Sequence, residues 1–369
     1  MRIGLLGFGV VGEGFYELTQ KRTDCDVVKV LCRKERSGIP QTYDFADILN
    51  DKTIDTVVEV MGGLHPAYEY VKAALEAGKN VITANKALIA AYYDVLIPLA
   101  NENGVKLRCT AAVGGGIGWL SGLERARRVQ SVTMVQGIMN GTCNYILDSM
   151  TRLGLGYEEA LLQAQQLGYA EADPSADVDG IDTWNKLIIS CNIAFGICLE
   201  SVPVAGIRRI TASDVAEFTK AGFVCKLLAT GIYHGASYSA YVQPTLVPMN
   251  APEAAVPSNY NHISFQGETS GKMSFFGQGA GRYPTAYNVM QDCVDVMDGK
   301  GFYAPCGAPA KAANTEKFRY YVRGSSDRWL AEHTTKTCGG AVITEPVSIS
   351  QMHSWLSSHP EAFIAAIAE

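Results

Sequence analysis

No apolar run in the sequence reaches the roughly 18 residues that a membrane-spanning helix needs. Mean hydropathy is close to zero, at +0.04. The chain also opens without a charged leader and cleavage site, running straight into the apolar pattern Arg2-Ile3-Gly4-Leu5-Leu6-Gly7. No membrane partner is expected, and the location expected is cytoplasmic. Positive charge is scarce: 31 Lys and Arg face 37 Asp and Glu, a formal net charge of −6, which argues against nucleic acid as a partner. The ten cysteines form no CxxC pair, and the six histidines lack metal-ligand spacing. A zinc site and a disulfide framework are therefore not expected, and the cysteines read as reduced, buried thiols. What the chain does have is apolar bulk: 47% of its 369 residues are hydrophobic, enough for two domains.

Residues 1–112 alternate between short apolar runs and stretches of helical spacing. Strands are expected at 3–8, 27–32, 56–61, 80–83 and 105–112. Helices are expected at 10–20, 43–49, 66–77 and 86–103. Strands that are apolar throughout, separated by helices, imply a parallel sheet covered on both faces. The first strand-to-helix turn reads Gly7-Phe8-Gly9-Val10-Val11-Gly12, a GxGxxG opening a helix. Its first glycine makes the turn, its second lets backbone approach a pyrophosphate, and its third lets helix and strand pack closely. The phosphates would sit on the free N–H groups of the helix start. After the second strand comes Cys32-Arg33-Lys34, with no acid placed to hold a ribose hydroxyl. Arg33 and Lys34 suit a 2′-phosphate, so NADP is favoured and NAD left open. Lys86, in Thr83-Ala84-Asn85-Lys86, opens a helix, where a lysine opposes the helix dipole. That misfit marks it as a candidate site residue.

The cluster Val113-Gly114-Gly115-Gly116-Ile117-Gly118 breaks the alternation and marks a boundary. From there to about 276, long helices and successive strands suggest an α+β domain able to dimerise through its sheet. Gly277-Gln278-Gly279-Ala280-Gly281 is a second small-residue loop opening a helix. It suggests that 277–303 rejoins the nucleotide domain. The tail, 304–369, reads as a small βαβα extension. The expected fold class is thus α/β, a Rossmann-type parallel-sheet nucleotide-binding domain plus an α+β substrate and dimerisation domain.

The stretch Gly168–Leu187, GYAEADPSADVDGIDTWNKL, concentrates five carboxylates and one lysine within a chain that is 18% charged. Its first part reads as a loop and its second as a helix, on which Asp182 and Lys186 share a face.

Taken in order, GFGVVG, TANKALIA (83–90), VGGGI (113–117), NGTCNYIL (140–147), the 168–187 stretch and GQGAGRYPTA (277–286) resemble the homoserine dehydrogenase family. The resemblance spans roughly residues 3 to 300. It implies reduction of L-aspartate 4-semialdehyde to L-homoserine with NAD(P)H, on the route to threonine, methionine and isoleucine, and a homodimer is expected. It further implies Lys186 as proton donor held by Asp182. Glu171 would grip the substrate beside Tyr169, with Asp173 and Asp177 as further partners. The Asn140-Gly141-Thr142 loop would contact substrate and cofactor, Lys86 would lie near both substrate and nicotinamide, and Gly168 and Gly279 would contact cofactor.

The chemistry is consistent with those roles. Carboxylates suit the substrate ammonium, and the alkoxide formed at the carbonyl needs a cation or acid at once. Two departures stand out. Family members often place an acid ahead of the VGGGI loop to help hold a sodium ion; here that residue is Thr110. Backbone oxygens of Val113, Gly115 and Ile117 could still bind Na+ or K+, without the charge. The tail is also too short for the complete ACT-type regulatory domain of longer members. An amino-acid dehydrogenase on the same scaffold and a non-catalytic NAD(P) sensor are the competing classes.

Overall fold

A computed structural model describes residues 1–200, 202–301, 303–307 and 310–368. It divides into two compact units. The first comprises 1–129, 189–198 and 277–309; the second comprises 130–188, 199–276 and 310–369.

The first unit is built on a six-stranded sheet. In chain order its elements are β1 (Arg2–Leu6), α1 (Val10–Thr19), β2 (Asp26–Leu31), β3 (Gln41–Thr42), α2 (Ala46–Leu49), β4 (Thr56–Glu59), α3 (Ala67–Glu76), β5 (Asn80–Thr83), α4 (Lys86–Glu102), β6 (Leu107–Arg108) and α5 (Trp119–Arg127). The strand order is β3-β2-β1-β4-β5-β6, and every pairing is parallel. This is the doubly wound order in which the carboxyl ends of β1 and β4 flank the ligand crevice. The parallel sheet expected from the apolar strand pattern is present. Two local readings are corrected. The strand expected over 105–112 is confined to Leu107–Arg108, and Thr110–Ala112 forms a 3₁₀ turn. There the Thr110 N–H donates to the Asp292 carboxylate at 2.8 Å instead of to a ladder. The helix expected from 43 starts only at Ala46, whose N–H is taken by the Asp44 carboxylate at 2.9 Å.

The second unit holds β7 (Val132–Ile138), α6 (Gly141–Leu153), α7 (Tyr157–Gln166), the single turn α8 (Ser175–Val178), the start of α9 (Ile181–Phe195), α10 (Ala212–Lys220), β8 (Phe223–Tyr233), β9 (Ser237–Pro248), β10 (Tyr260–Gly267) and β11 (Gly271–Gln278). The first unit resumes with α11 (Arg282–Met297), whose Ala286, Val289 and Cys293 share one buried cluster with Ile3, Leu5 and Phe15.

The tail corrects the βαβα reading. It comprises β12 (Lys311–Ala312), β13 (Lys317–Arg323), α12 (Arg328–His333), β14 (Thr334–Cys338), β15 (Ala341–Thr344), β16 (Val347–Ser348), α13 (Ile349–Ser357) and β17 (Phe363–Ile367). Its main elements make a βαββαβ unit, the ferredoxin-like arrangement, with strand order β17-β13-β15-β14. It is not a separate appendage, because β17 pairs in parallel with β9 and continues one sheet of order β11-β10-β7-β8-β9-β17-β13-β15-β14. Tyr320, Leu330, Met352, Trp355 and Ile364 give the tail a core of its own. β14 is short and largely exposed and so leaves no alternation, while β17, expected as helix over 360–368, is buried at every residue, an apolar run that does not distinguish strand from helix.

The cysteine reading is corrected in one place: Cys198 and Cys306 form a disulfide within the first unit. The eight other cysteines are free thiols, six of them buried. Among the described residues no helix is long and apolar enough to cross a membrane.

Candidate active site

The first unit presents the glycine turn at the end of β1. Gly7 has φ +99, a conformation side chains resist, and a Cβ on Gly12 would collide with the Gly7 carbonyl. A Cβ on Gly9 would meet nothing within 4 Å, so backbone there faces open space. Gly9 caps α1 without any side-chain hydrogen bond, leaving the amides of the helix start for a ligand. A cleft of about 580 Å³ opens beside it, lined by Gly7, Gly9, Arg33, Lys34, Arg36 and His65 among others. Arg36 is already engaged with Glu13 at 3.5 Å. A backbone cradle beside a basic wall fits a dinucleotide that carries phosphate. Val10 is 65% exposed at the first position of α1, with Val11 next to it.

Lys86 begins α4 on the carboxyl side of β5. The Asn85 side chain caps that helix, accepting from the Leu88 N–H at 3.2 Å, and donates to the Gly63 carbonyl at 2.6 Å. Beneath them lies a carboxylate that sequence reasoning passed over. Glu59, fully buried at the end of β4, accepts from the Thr83 hydroxyl at 2.5 Å and the Met61 N–H at 2.7 Å. Burial pushes its carboxyl above the usual range, and those donors pull it partway back. One acid closing an otherwise apolar strand was the available signal.

The second unit carries the acid–base cluster. On α9, Lys186 Nζ lies 2.8 Å from Asp182 Oδ2, and it donates to the Met139 carbonyl at 2.7 Å. Asn140 ties the group together. Its Nδ2 donates to Asp182 Oδ2 at 2.8 Å and to Asp177 Oδ1 at 2.7 Å, while its Oδ1 caps α6 by accepting from the Cys143 N–H. Asp182 and Lys186 are each 7% exposed. Burial pushes the Asp177 carboxyl up and the negative Asp182 adds to that, with the Asn140 amide opposing. The Asn140 amide and the Met139 carbonyl were not anticipated as partners of the D-x-x-x-K pair.

The loop between α7 and α9 supplies the remaining candidates. Tyr169 accepts from the Thr142 hydroxyl through its backbone carbonyl at 2.5 Å, and its ring meets Tyr145 edge-on. Glu171 and Asp173 are exposed, and Gly168 turns the chain at φ +74. Arg208 holds Asp179 at 2.7 Å and reaches the Ser175 hydroxyl at 3.0 Å, bracing the loop from behind. The structure therefore gathers Asp177, Asp182 and Lys186 about Asn140, and leaves Glu171 on the open loop. Gly141 packs so tightly that a Cβ would come 2.6 Å from the Asn259 carbonyl. Under α6 lies the fully buried Lys226, donating to Asn144 Oδ1 at 2.8 Å and the Val256 carbonyl at 2.9 Å. Burial draws its ammonium down to about 8.

Val113, Gly115 and Ile117 belong to the first unit, as does Gly279. The amide of Asn288 donates to the carbonyls of Gly115 and Ile117. Among the described residues no cluster of three or more His, Cys, Asp or Glu is placed to hold a metal ion.

Residues 7–110 match the family described as homoserine dehydrogenase, NAD binding domain, and residues 119–294 match the family described as homoserine dehydrogenase. The chain is 38% identical over 315 residues to the homoserine dehydrogenase of Bacillus subtilis, covering 80% of this chain and 73% of that protein. It is 39% identical over 320 residues to the Corynebacterium glutamicum enzyme, covering 81% and 72%. The crystal structure of a homoserine dehydrogenase from Thiobacillus denitrificans superposes with a TM-score of 0.89 at 29% identity, covering 100% of this chain and 98% of that one. One from S. aureus gives 0.78 at 30% identity, covering 100% and 98%.

Proposed function

The chain belongs to the homoserine dehydrogenase family, and we propose that it interconverts L-aspartate 4-semialdehyde and L-homoserine with Lys186 as the group that moves the proton. It is an NAD(P)-dependent oxidoreductase with a nicotinamide cofactor. The observation that carries the proposed role is the Lys186 ammonium held by the Asp182 carboxylate and the Met139 carbonyl.

The cofactor, when bound, delivers a hydride to the carbonyl carbon or accepts one from the alcohol. The carbonyl oxygen then needs one proton, and Lys186 can supply it. Asp182 and Met139 fix where that proton starts from, and Asn140 fixes Asp182. In oxidation the neutral lysine takes the hydroxyl proton back. Glu171 and Asp177 present carboxylates suited to the substrate ammonium, with Tyr169, Gly141 and Thr142 shaping the same loop. Lys86 assists by orienting substrate and cofactor.

The first unit is read as the cofactor-binding domain. Gly7, Gly9, Val10, Val11 and Gly12 cradle the pyrophosphate, Gly279 and Gly168 contribute loop backbone, and Arg33 and Lys34 favour NADP over NAD. The second unit is read as the substrate and dimerisation domain of a homodimer. Its edge strand β11 leaves Met273 and Phe276 exposed, at 45% and 57%, a surface suited to a second copy. A cytoplasmic location belongs to the same reading.

Steady-state oxidation of homoserine with NADP and NAD side by side tests the reading. Turnover with both, at a lower KM for NADP, is the expected result. Oxidation of other 2-amino acids in place of homoserine would point to an amino-acid dehydrogenase. Tight NADPH binding with no turnover would point to a sensor.

A further inference from the structure

The 113–118 loop lies backbone against backbone on the second glycine loop. A Cβ on Gly115 would come 2.6 Å from the Gly279 backbone, and the Gly116 N–H donates to the Gln278 carbonyl at 3.2 Å. Such close contact turns carbonyls inward, where each needs a partner. Asn288, on α11 and 2% exposed, provides one for two of them: its Nδ2 donates to Gly115 O and, at 3.0 Å, to Ile117 O. Two carbonyl oxygens can be satisfied only by the NH2 end of the amide, so its orientation follows from its neighbours.

These are the carbonyls that the family resemblance offers to Na+ or K+. A hard cation among inward carbonyls also needs negative charge nearby. The residue at the expected acidic position is Thr110, whose hydroxyl lies near Ser121 Oγ at 3.5 Å and Tyr303 OH at 3.4 Å. The acid one helical turn beyond Asn288 is already committed. Asp292 takes the Thr110 N–H at 2.8 Å on one oxygen and Arg108 Nε at 3.2 Å on the other. A cation entering here would displace the Asn288 amide, strand its two N–H groups in a buried place and sit without its own carboxylate. The residues present do not fit the ion.

We propose that Asn288 replaces the monovalent cation, cross-linking Gly115 and Ile117 by hydrogen bonds so that this loop, and the second glycine loop docked on it, are set without an ion. The inference rests on the family reading only for the expectation of an ion; the hydrogen bonds stand without it.

The test reads stability, so its failure is distinguishable from failure of the enzymatic reading. Protein dialysed into choline chloride is melted in choline, NaCl and KCl at matched ionic strength. The wild type should melt at one temperature in all three and carry no Na+ or K+ above background by elemental analysis. Asn288→Asp keeps the shape but turns an oxygen toward the carbonyls. It should melt on the order of 4 °C lower in choline and recover in NaCl, where an ion can bridge carboxylate and carbonyls. A wild type that melts higher in NaCl or KCl, or that retains one ion per chain, overturns the proposal. So does an Asn288→Asp variant that melts like wild type in choline.

Discussion

Arg108 in the first unit and Lys186 in the second are both buried cations among carboxylates, exposed by 1% and 7%. Arg108 spreads its guanidinium over three acids, with Nε 3.2 Å from Asp292, one terminal nitrogen 2.7 Å from Glu124 and the other 2.9 Å from Asp295. Burial pushes the Asp292 carboxyl up to about 6, with Arg108 pulling against it. Lys186 faces one bridging carboxylate and one backbone carbonyl, and that carboxylate is positioned by a neutral amide. A guanidinium keeps its proton under all ordinary conditions, whereas an ammonium can release one. The first arrangement pins a strand end to a helix. The second is the arrangement to which the proposed function gives the proton, with Asp182 and the Met139 carbonyl holding the ammonium in place.

The largest expected effect that would separate the two is on turnover. Lys186→Ala should lower kcat by about 10²–10⁴ while NADPH affinity, read by fluorescence titration, stays at the wild-type value. Next, Arg108→Lys should cost about 3 kcal/mol in denaturant unfolding, because one ammonium cannot reach three separated carboxylates, with the turnover of the folded fraction preserved. If Arg108→Lys lost turnover without losing stability, the division into structural and chemical cations would fail.

A third contrast lies within the cofactor cleft. Arg33→Ala with Lys34→Ala should raise KM for NADPH about tenfold and leave KM for NADH nearly unmoved, since only the former carries a 2′-phosphate for the charged pair to hold. Equal loss with both cofactors would contradict the assignment.

The smaller expected effect on unfolding is in the tail. His353 titrates near 6.5 in an unfolded chain, and burial draws it down to about 4 in the fold. The fold therefore holds the neutral ring. Its contribution is complete above pH 6.5 and is lost as pH falls toward 4, where the unfolded chain binds the extra proton. Urea unfolding at pH 7 and pH 5 should show about 2 kcal/mol more loss for wild type than for His353→Gln.

How far the sequence could be read followed from the range of each interaction. The parallel sheet was legible because strands buried on both faces are apolar throughout. Gly7 and Gly12 were legible because their turn excludes side chains. The Asp182–Lys186 pair was legible because four residues make one helical turn. The bonds from Asn140 to Asp177 and Asp182 were not, although its NGT loop was marked by the family resemblance, because those two carboxylates lie 37 and 42 residues away. The partners of Asn288 lie 171 and 173 residues away, so the amide that meets Gly115 and Ile117 could not be foreseen. The tail topology was missed for a different reason: β17 completes itself against β9, which lies far earlier in the chain.

The most direct measurement is the kcat of Lys186→Arg for aspartate 4-semialdehyde reduction. Arginine retains the positive charge and a carboxylate partner in Asp182, but cannot surrender a proton. The account predicts a fall of about 10²–10⁴ in kcat with thermal stability and NADPH affinity preserved. Turnover within about tenfold of wild type would show that only charge is needed, and that the proton comes from elsewhere.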